Sequence, residues 1–220
     1  MAEKIVCLGG FLIPAVVCTK NENWVAIEMK NKIIDKLSAE EALIILKRLV
    51  AKEPIFAKQI EMEAEMLLSS IDLEEICEAV YSDLDQMKVQ ELWDRSGKSR
   101  YGYVSPDEMA VEMMENELAP YNQNVFRYIE LKKHTEAKTY CMGVLKGIYT
   151  YSMESTSEFK DWAIEIPEEC FGFLLETWLK KMSNAKDKIL MDDFLAEYCS
   201  AWYNWANQII DKAKKRANRE

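Results

Sequence analysis

Residues 91–108 of the chain read ELWDRSGKSRYGYVSPDE. A helical pattern ends in the first part of this stretch, a polar segment with two glycines, Gly97 and Gly102, follows, and a second helix then begins. Glycine and clustered polar residues are typical of a break between helices. The stretch therefore predicts two helical halves that meet at residues 95–104.

The second helix of this stretch has a complete set of N-terminal signals. Ser105 is suited to accept a hydrogen bond from a first-turn amide, Pro106 to occupy the first helical position, and Glu108 to return a bond to the cap amide. Asp107 and Glu108 also lie at the positive end of the helix dipole. These signals predict a helix over residues 105–118.

Composition favours helices throughout. The chain has 220 residues, of which 49% are apolar and 30% charged, as in an ordinary folded protein. Only 7 Gly and 5 Pro interrupt it. Because helix breakers are few and Leu, Met, Ala, Glu and Lys are frequent, helices are predicted rather than strands.

The net charge of -10 is concentrated in one segment. Between Glu53 and Asp94 there are 12 acidic and 2 basic residues, a difference equal to the net charge of the whole chain. An acidic segment is a poor partner for phosphates, and we do not expect nucleic-acid binding. The favoured interpretation of the run is a solvated helical face, and the alternative is a docking site for a basic partner.

The cysteines do not form a recognisable disulfide or metal pattern, since no Cys-x-x-Cys pair occurs. Buried free thiols in a reducing cytosol are predicted. His134 is the only histidine, which excludes a zinc site built on several imidazoles, and we expect neither a metal nor a cofactor. The six cysteines are Cys7, Cys18, Cys77, Cys141, Cys170 and Cys199.

Apolar residues recur at helical spacing along most of the chain, and capping signals separate eight or nine predicted helices. Ser38, Asp72 and Ser155 each stand where a helix cap is expected, and Pro120 either stops one helix or starts the next. Two helices, which begin after Ser38 and at Pro54, carry apolar stripes, and we expect the second stripe to face inward. These stripes are Ala42, Ile45, Leu46 and Leu49, and Ile60, Ala64, Leu67 and Leu68.

Two later features concern helix packing. Gly143 and Gly147 lie four residues apart on one predicted helix, where they allow another helix to approach closely. The last predicted helix carries an amphipathic stripe with spacings of four, three, four and four. The residues of this stripe are Phe194, Tyr198, Ala201, Trp205 and Ile209.

These helices predict an all-α fold of antiparallel helix pairs, either an irregular multi-helix bundle or a short α-solenoid, over residues 38–220. Residues 1–37 form a separate apolar N-terminal segment whose structure the sequence leaves open. Its apolar run Ile5–Cys18 is too short to span a bilayer as a helix, and no cleavage signal follows. We expect a short buried strand pair or a hydrophobic segment packed on the helices, in a cytoplasmic protein.

The block Glu91–Ala110 contains LWDRSGKSRYGY, and the block Tyr140–Ala163 ends in SEFKDWA. These two blocks resemble a family of uncharacterised prokaryotic helical proteins. Together with the helices from Ser38 onward, the resemblance covers about residues 38–180. It implies a helical cytoplasmic protein of prokaryotic origin and gives no residue a chemical role.

No reaction motif is complete. The Gly-Lys-Ser run at residues 97–99 suggests a P-loop, but Leu92 stands where a Walker A loop requires glycine, and the run follows a helix rather than a strand. Ser157 and Lys160 match a Ser-x-x-Lys nucleophile motif without its companion motifs, so a cap role is predicted for Ser157. His134 is predicted to be an exposed loop residue rather than a general base.

The strongest candidate site is the basic and aromatic loop at residues 93–104. One interpretation is a surface that holds an anion or a partner's carboxylates. In the other, the cations pair with Glu91, Asp94 and other carboxylates and join the two halves, while the aromatic residues are core plugs. The candidate binding residues are Trp93, Arg95, Lys98, Arg100, Tyr101 and Tyr103.

We therefore expect a non-enzymatic helical scaffold that binds another protein, through a groove near residues 93–104 or through the aromatic C-terminal helix. The alternative is a protein, with or without enzymatic activity, that binds a small anionic metabolite through the loop 93–104. A third interpretation is a homodimer in which the apolar N-terminus and the last helix supply the contact. Membrane association is not expected.

Overall fold

The structure is a computed structural model that describes residues 33–100, 102–182 and 185–217. Over these ranges the chain forms nine α-helices, two 3₁₀ helices (Ile34–Lys36 and Glu158–Trp162) and one small β-hairpin, which confirms the all-α class. The helices are α1 (Ala39–Lys52), α2 (Pro54–Ser69), α3 (Leu73–Asp85), α4 (Val89–Arg95), α5 (Pro106–Glu130), α6 (His134–Glu154), α7 (Ile166–Lys181), α8 (Ala185–Tyr198) and α9 (Tyr203–Ala217), and the strands are β1 (Gly97–Ser99) and β2 (Gly102–Val104).

The chain divides into two compact units, residues 1–59 and 60–220. The predicted junction at residues 95–104 lies within the second unit, and the first of the two predicted halves is divided between the two units. Residues 1–32 lie outside the described ranges, so the expectations for the apolar segment 1–37 and its run Ile5–Cys18 stay predictions. None of the helices within the described ranges combines the length and the apolar character needed to cross a bilayer.

Helix α6 forms the centre of the second unit. It packs against α3, α5, α7 and α8, and buried residues occur on all of its sides. A helix that is apolar all round requires neighbours all round. The second unit is therefore a multi-helix bundle built around α6 and not the α-solenoid that was the other prediction.

The glycines of α6 allow α3 to approach closely, as predicted. A Cβ atom on Gly143 would lie 2.8 Å from Ile76 Cβ, and one on Gly147 would lie 2.6 Å from Val80 Cβ and 2.8 Å from the carbonyl oxygen of Cys77. Such distances leave no room for a methyl group. The glycine pair thus sets the distance between the two helices.

The predicted caps at three helix starts are confirmed. Ser38 and Ser105 each form a capping box, with Glu41 and Glu108 as the residues that return the bond. Asp72 accepts hydrogen bonds from the amides of Glu74 and Glu75 at the start of α3. Local side-chain chemistry therefore determines where these helices begin.

The prediction for Pro120 was wrong, because α5 continues through this residue without stopping. Proline has no amide hydrogen, so the carbonyl of Asn116 loses its usual intrahelical donor. Asn116 is exposed, and water can replace that donor. The packing of α5 against α6 and α7 maintains one 25-residue helix where local preference favoured a break.

The prediction that Ser155 caps a helix start was also wrong. Ser155 is instead the C-terminal flanking residue of α6, and its hydroxyl donates to the Asp85 carboxylate at 2.6 Å. Ser157 takes the cap role by accepting a hydrogen bond from the Phe159 amide. The cap role of Ser157 was predicted correctly.

The predicted last helix is two helices, because the chain breaks between α8 and α9 at residues 199–202. Because of this break, residues before and after it no longer follow one helical repeat, and the predicted stripe does not lie on one face. Ala201 is exposed and Tyr198 is 41% exposed, although both were predicted to share the apolar face. Phe194 is buried as expected. Further along the chain, Trp202, Ala206 and Ile210 are buried in place of the predicted residues.

The prediction that the stripe of α2 faces inward was wrong, because no residue of α2 is buried. The stripe predicted on α1 is not buried either. No residue of α1 is buried, and Leu46 and Leu49 are 41% and 37% exposed. On α2, Leu67 is 76% exposed and Ile60 is only partly covered. Helical periodicity identified an apolar face on α1 correctly, but periodicity does not show whether a face is covered.

Candidate interaction site

Helix α4 presents one aromatic side chain to solvent. Leu92 is fully buried and fixes the short helix to the core. The next residue, Trp93, is 49% exposed, and its ring meets that of Trp162 edge to face at a centroid distance of 5.0 Å. Trp93 is therefore held in place on one side and accessible on the other.

The polar segment after α4 is a β-hairpin, whereas a loop was predicted from the sequence. Strands β1 and β2 are antiparallel, and Lys98 lies directly opposite Tyr103. Gly97 and Gly102 have φ angles of +100° and +137°, a region of the backbone that favours glycine. Val104 packs against the core, so Lys98 and Tyr103, on the alternate face, point away from it.

Trp93 lines an open groove of about 630 Å³, which we call the Trp93 groove. One side is formed by the start of α4 and the residues before it, and the other by the start of the second 3₁₀ helix. Phe159 is fully buried and forms its floor, while Lys88 and Glu158 are exposed at its edge. The lining residues are Met87, Lys88, Val89, Gln90, Trp93, Ser157, Glu158 and Phe159.

Arg95 lines a different cavity, of about 390 Å³, which we call the acidic cleft. Three carboxylates and one guanidinium line it, so the cleft repels anions in spite of Arg95. The Tyr121 hydroxyl donates a hydrogen bond to Asp83 at its wall. Burial, reinforced by this hydrogen bond, raises the pKa of Tyr121 well above its ordinary value. The lining residues are Asp83, Gln86, Met87, Glu91, Arg95, Met113, Asn116 and Glu117.

The candidate residues of the loop 93–104 therefore do not line one cavity. Trp93 belongs to the Trp93 groove, Arg95 to the acidic cleft, and Lys98 and Tyr103 to the outer face of the hairpin. Arg100 is exposed in the hairpin turn. Tyr101 lies outside the described residues.

The predicted ion pairs that would join the two halves at this junction are absent from the described part of the chain. There, Arg95, Lys98 and Arg100 form no ion pair within 4.0 Å. Asp94 accepts a hydrogen bond from Gln90 instead, one helical turn earlier. Exposed Tyr103 is likewise not a core plug, since its side chain is 69% accessible.

A polar cluster beside the groove was not predicted from the sequence. Ser155 donates to Asp85 and accepts from the amide of Ser157 at 3.0 Å, and the Lys160 ammonium donates to the Ser155 carbonyl at 3.1 Å. These bonds fix the C-terminal end of α6 against the C-terminal end of α3, and they include Ser157, which lines the groove. Asp85 and Ser155 are 70 residues apart, so no local spacing could have indicated the contact.

Four cysteines and His134 are the other candidates for reactive chemistry within the described residues. Cys77, Cys141 and Cys199 are buried free thiols, and Cys170 is a partly buried one. Burial raises the pKa of the Cys199 thiol to about 12, which keeps it protonated near neutral pH. His134 is exposed, as predicted, but it is the first residue of α6 and not a loop residue. Within the described residues, no three side chains of His, Cys, Asp or Glu are grouped closely enough to hold a metal ion.

Comparison of the chain with protein-family models, with curated proteins and with solved structures found no match. The resemblance of residues 38–180 to uncharacterised prokaryotic helical proteins thus stays a prediction. Function is therefore inferred from the geometry of the groove, the cleft and the hairpin.

Proposed function

We propose that the protein is a non-enzymatic helical scaffold that binds a segment of another protein in the Trp93 groove. The observation that carries this proposal is the half-exposed ring of Trp93, held against Trp162 above a floor formed by buried Phe159. A large aromatic surface in contact with water favours burial by a partner. Tryptophan is also enriched at the energetic centres of protein interfaces.

The lining of the groove indicates the chemistry of the bound segment. Met87 supplies a flexible apolar wall that adapts to different side chains, and Val89 adds a rigid one. Lys88 and Glu158 place one charge of each sign at the edge. A segment with one or two large apolar side chains, flanked by charged residues of both signs, fits this arrangement.

The proposed compartment is the cytoplasm. Each of the four cysteines within the described ranges is a free thiol. Buried thiols of this kind are typical of proteins in a reducing environment.

The proposal is tested by capture from an extract of the source cells, with the full chain immobilised. Partners retained by the wild type are identified and their affinities measured by calorimetry. Trp93→Ala is expected to weaken binding at least tenfold, the loss typical of a residue at the centre of an interface. Phe173→Ala, at a 61% exposed aromatic position on α7, is the matched control and should leave affinity unchanged. A wild type that retains no partner, or equal binding by Trp93→Ala, would contradict the proposal.

A second candidate function is the binding of a small anionic metabolite at the hairpin. Lys98 and Arg100 are exposed and make no ion pair with any described residue, and Tyr103 lies on the same strand face as Lys98. This candidate predicts thermal stabilisation by phosphorylated or carboxylated metabolites, lost in a Lys98→Ala/Arg100→Ala double variant. The acidic surroundings of Arg95 do not favour its participation.

A further inference from the structure

Helix α1 carries a face of large aliphatic side chains that are all exposed. The exposed fractions of the five residues on this face lie between 37% and 50%, and α1 has no buried residue. Isolated exposed aliphatic residues are ordinary on protein surfaces, but a continuous patch indicates an interaction surface. The five residues are Leu43, Ile45, Leu46, Leu49 and Val50.

These residues form one stripe. At about 100° per residue they fall within an arc of roughly 160° on one side of the helix, with Leu46 near its middle. Ile44 is 49% exposed and lies on the opposite side of the helix. The stripe exposes on the order of 400 Å² of apolar surface, the size of the largest patch on a typical monomer and one that is often functional.

The two ends of α1 carry opposite charges. Glu40 and Glu41 occupy the first turn, whereas Lys47, Arg48 and Lys52 lie in the second half. When two such helices pack antiparallel, the acidic end of each lies beside the basic end of the other, and their dipoles are also opposed. Parallel packing would place like charges together at both ends.

We propose that two copies of the chain associate through antiparallel packing of their α1 helices. A two-fold axis near Leu46 makes the contact self-complementary, so that each apolar stripe covers the other. Two such stripes bury roughly 800 Å² in total, less than the roughly 1,000 Å² that a stable interface needs, so the proposed dimer is weak and reversible. This surface does not involve the Trp93 groove, and the proposal does not depend on the proposed function.

Sedimentation equilibrium of the full chain, from about 1 µM to about 300 µM, tests the proposal. The wild type is expected to change from monomer to dimer across this range. Leu46→Glu should remain monomeric, with self-association weakened at least tenfold, because it places a charge at the centre of the contact. Leu46 is already 41% exposed, so the variant should keep the wild-type circular dichroism and unfolding midpoint.

Ile44→Glu is the matched control. It introduces the same charge at an equally exposed aliphatic residue two positions away, on the opposite side of α1. This variant is expected to dimerise like the wild type.

Helix direction is tested by exchanging charges. Glu41→Lys and Lys52→Glu should each weaken self-association several-fold, because both residues flank the same edge of the stripe and each change converts the attraction at both ends of an antiparallel pair into repulsion. An equimolar mixture of the two variants should recover wild-type association. Sodium chloride at about 1 M should reduce all of these differences, since it screens exposed charges.

Three results would each overturn the proposal. A wild type that stays monomeric up to the highest concentration would show that the stripe does not mediate self-association. A dimer that survives Leu46→Glu would use another surface. Equal loss of association in Leu46→Glu and Ile44→Glu would show that the stripe is not the contact.

Discussion

Two tyrosine hydroxyls in the second unit are held in contrasting ways. The Tyr121 hydroxyl donates to the Asp83 carboxylate, whereas Tyr151 is fully buried and its hydroxyl has no hydrogen-bond partner among the described residues. A buried polar group without a partner costs about 1–3 kcal/mol. We therefore expect Tyr151→Phe to raise the free energy of unfolding by about 1 kcal/mol, as measured by urea denaturation.

Tyr121→Phe is the comparison for this prediction. It removes a hydrogen bond to a charged acceptor, and the free energy of unfolding should fall by about 1–2 kcal/mol. A destabilising Tyr151→Phe would contradict the prediction. It would mean that the hydroxyl of Tyr151 in the wild type bonds to ordered water or to another partner in solution.

Buried thiols and phenols predict a loss of stability at alkaline pH. Burial raises the pKa of Cys170 and Cys199 to about 12 and raises the pKa of Tyr121 and Tyr151 well above their ordinary values. Because the folded state holds these protons more tightly, the stability they contribute is complete below the pKa values of the unfolded chain, 9.0 for thiols and 10.0 for phenols. Above these values it declines by at most about 1.4 kcal/mol per pH unit for each group.

The measurement is the free energy of unfolding by urea between pH 7 and pH 11. We expect a plateau up to about pH 8.5, a decline from about pH 9 as unfolded thiols ionise, and a steeper decline above about pH 10. Cys199→Ala should make the first decline shallower. Tyr103→Phe, at a 69% exposed position, should leave the profile unchanged. A flat profile up to about pH 10.5 would disprove the prediction.

At the scale of the helix and strand, the sequence predicts where a helix begins better than where it ends. Ser105 and Asp72 cap their helices as expected, because a cap requires only residues three or four positions apart. The prediction that a helix ends or begins at Pro120 was wrong, because the interactions that keep α5 continuous come from helices distant in sequence. The hairpin was missed because its strands have three residues each and contain two glycines, which weaken a strand pattern.

The contact between α3 and α6 allows a test at this scale. Gly147→Ala adds a methyl group 2.6 Å from Val80 Cβ and 2.8 Å from the Cys77 carbonyl oxygen. Alanine favours a helix by up to about 1 kcal/mol over glycine, but the clash with a backbone atom should outweigh this gain. We expect a net destabilisation of about 2 kcal/mol or more in thermal and urea unfolding.

A double variant tests how much of the clash a smaller neighbour relieves. Val80→Ala in the Gly147→Ala background removes the contact with Val80 Cγ1 at 2.9 Å but keeps those with the Cβ atom and the Cys77 carbonyl oxygen, so stability should not return to the wild-type value. Thr135→Ala, at an exposed position of the same helix, should change stability by less than about 0.5 kcal/mol. A neutral or stabilising Gly147→Ala would mean that α3 and α6 are farther apart in solution.

Over the whole molecule, the sequence identifies candidate binding residues but does not show which of them lie in the same site. Trp93 and Arg95 are two positions apart on α4 and were expected to share one site, yet they line different cavities because helical residues at this spacing point to different sides. The contact of Asp85 with Ser155 and the exposed stripe of α1 depend on which helices pack together. Such information is not contained in local periodicity.

A largely buried ion pair joins α6 to α8. Lys138 Nζ lies 2.7 Å from Asp187 Oδ1, and the side chains are only 14% and 10% exposed. Removing one member of a buried pair leaves the other charge without compensation. We expect Lys138→Met, which keeps most of the packing volume, to lower the free energy of unfolding by about 3 kcal/mol and to expose the amides of α8 to faster hydrogen exchange.

An exposed pair in the same unit provides the control. Lys180 and Glu176 lie 3.1 Å apart on α7, with side chains 56% and 43% exposed, so Lys180→Met should cost less than about 1 kcal/mol. Adding Asp187→Asn to Lys138→Met should recover part of the loss, because no buried charge then remains unpaired. If Lys138→Met and Lys180→Met had equal small effects, water would have to reach Asp187 in solution, and α8 would be held on α6 by apolar contacts alone.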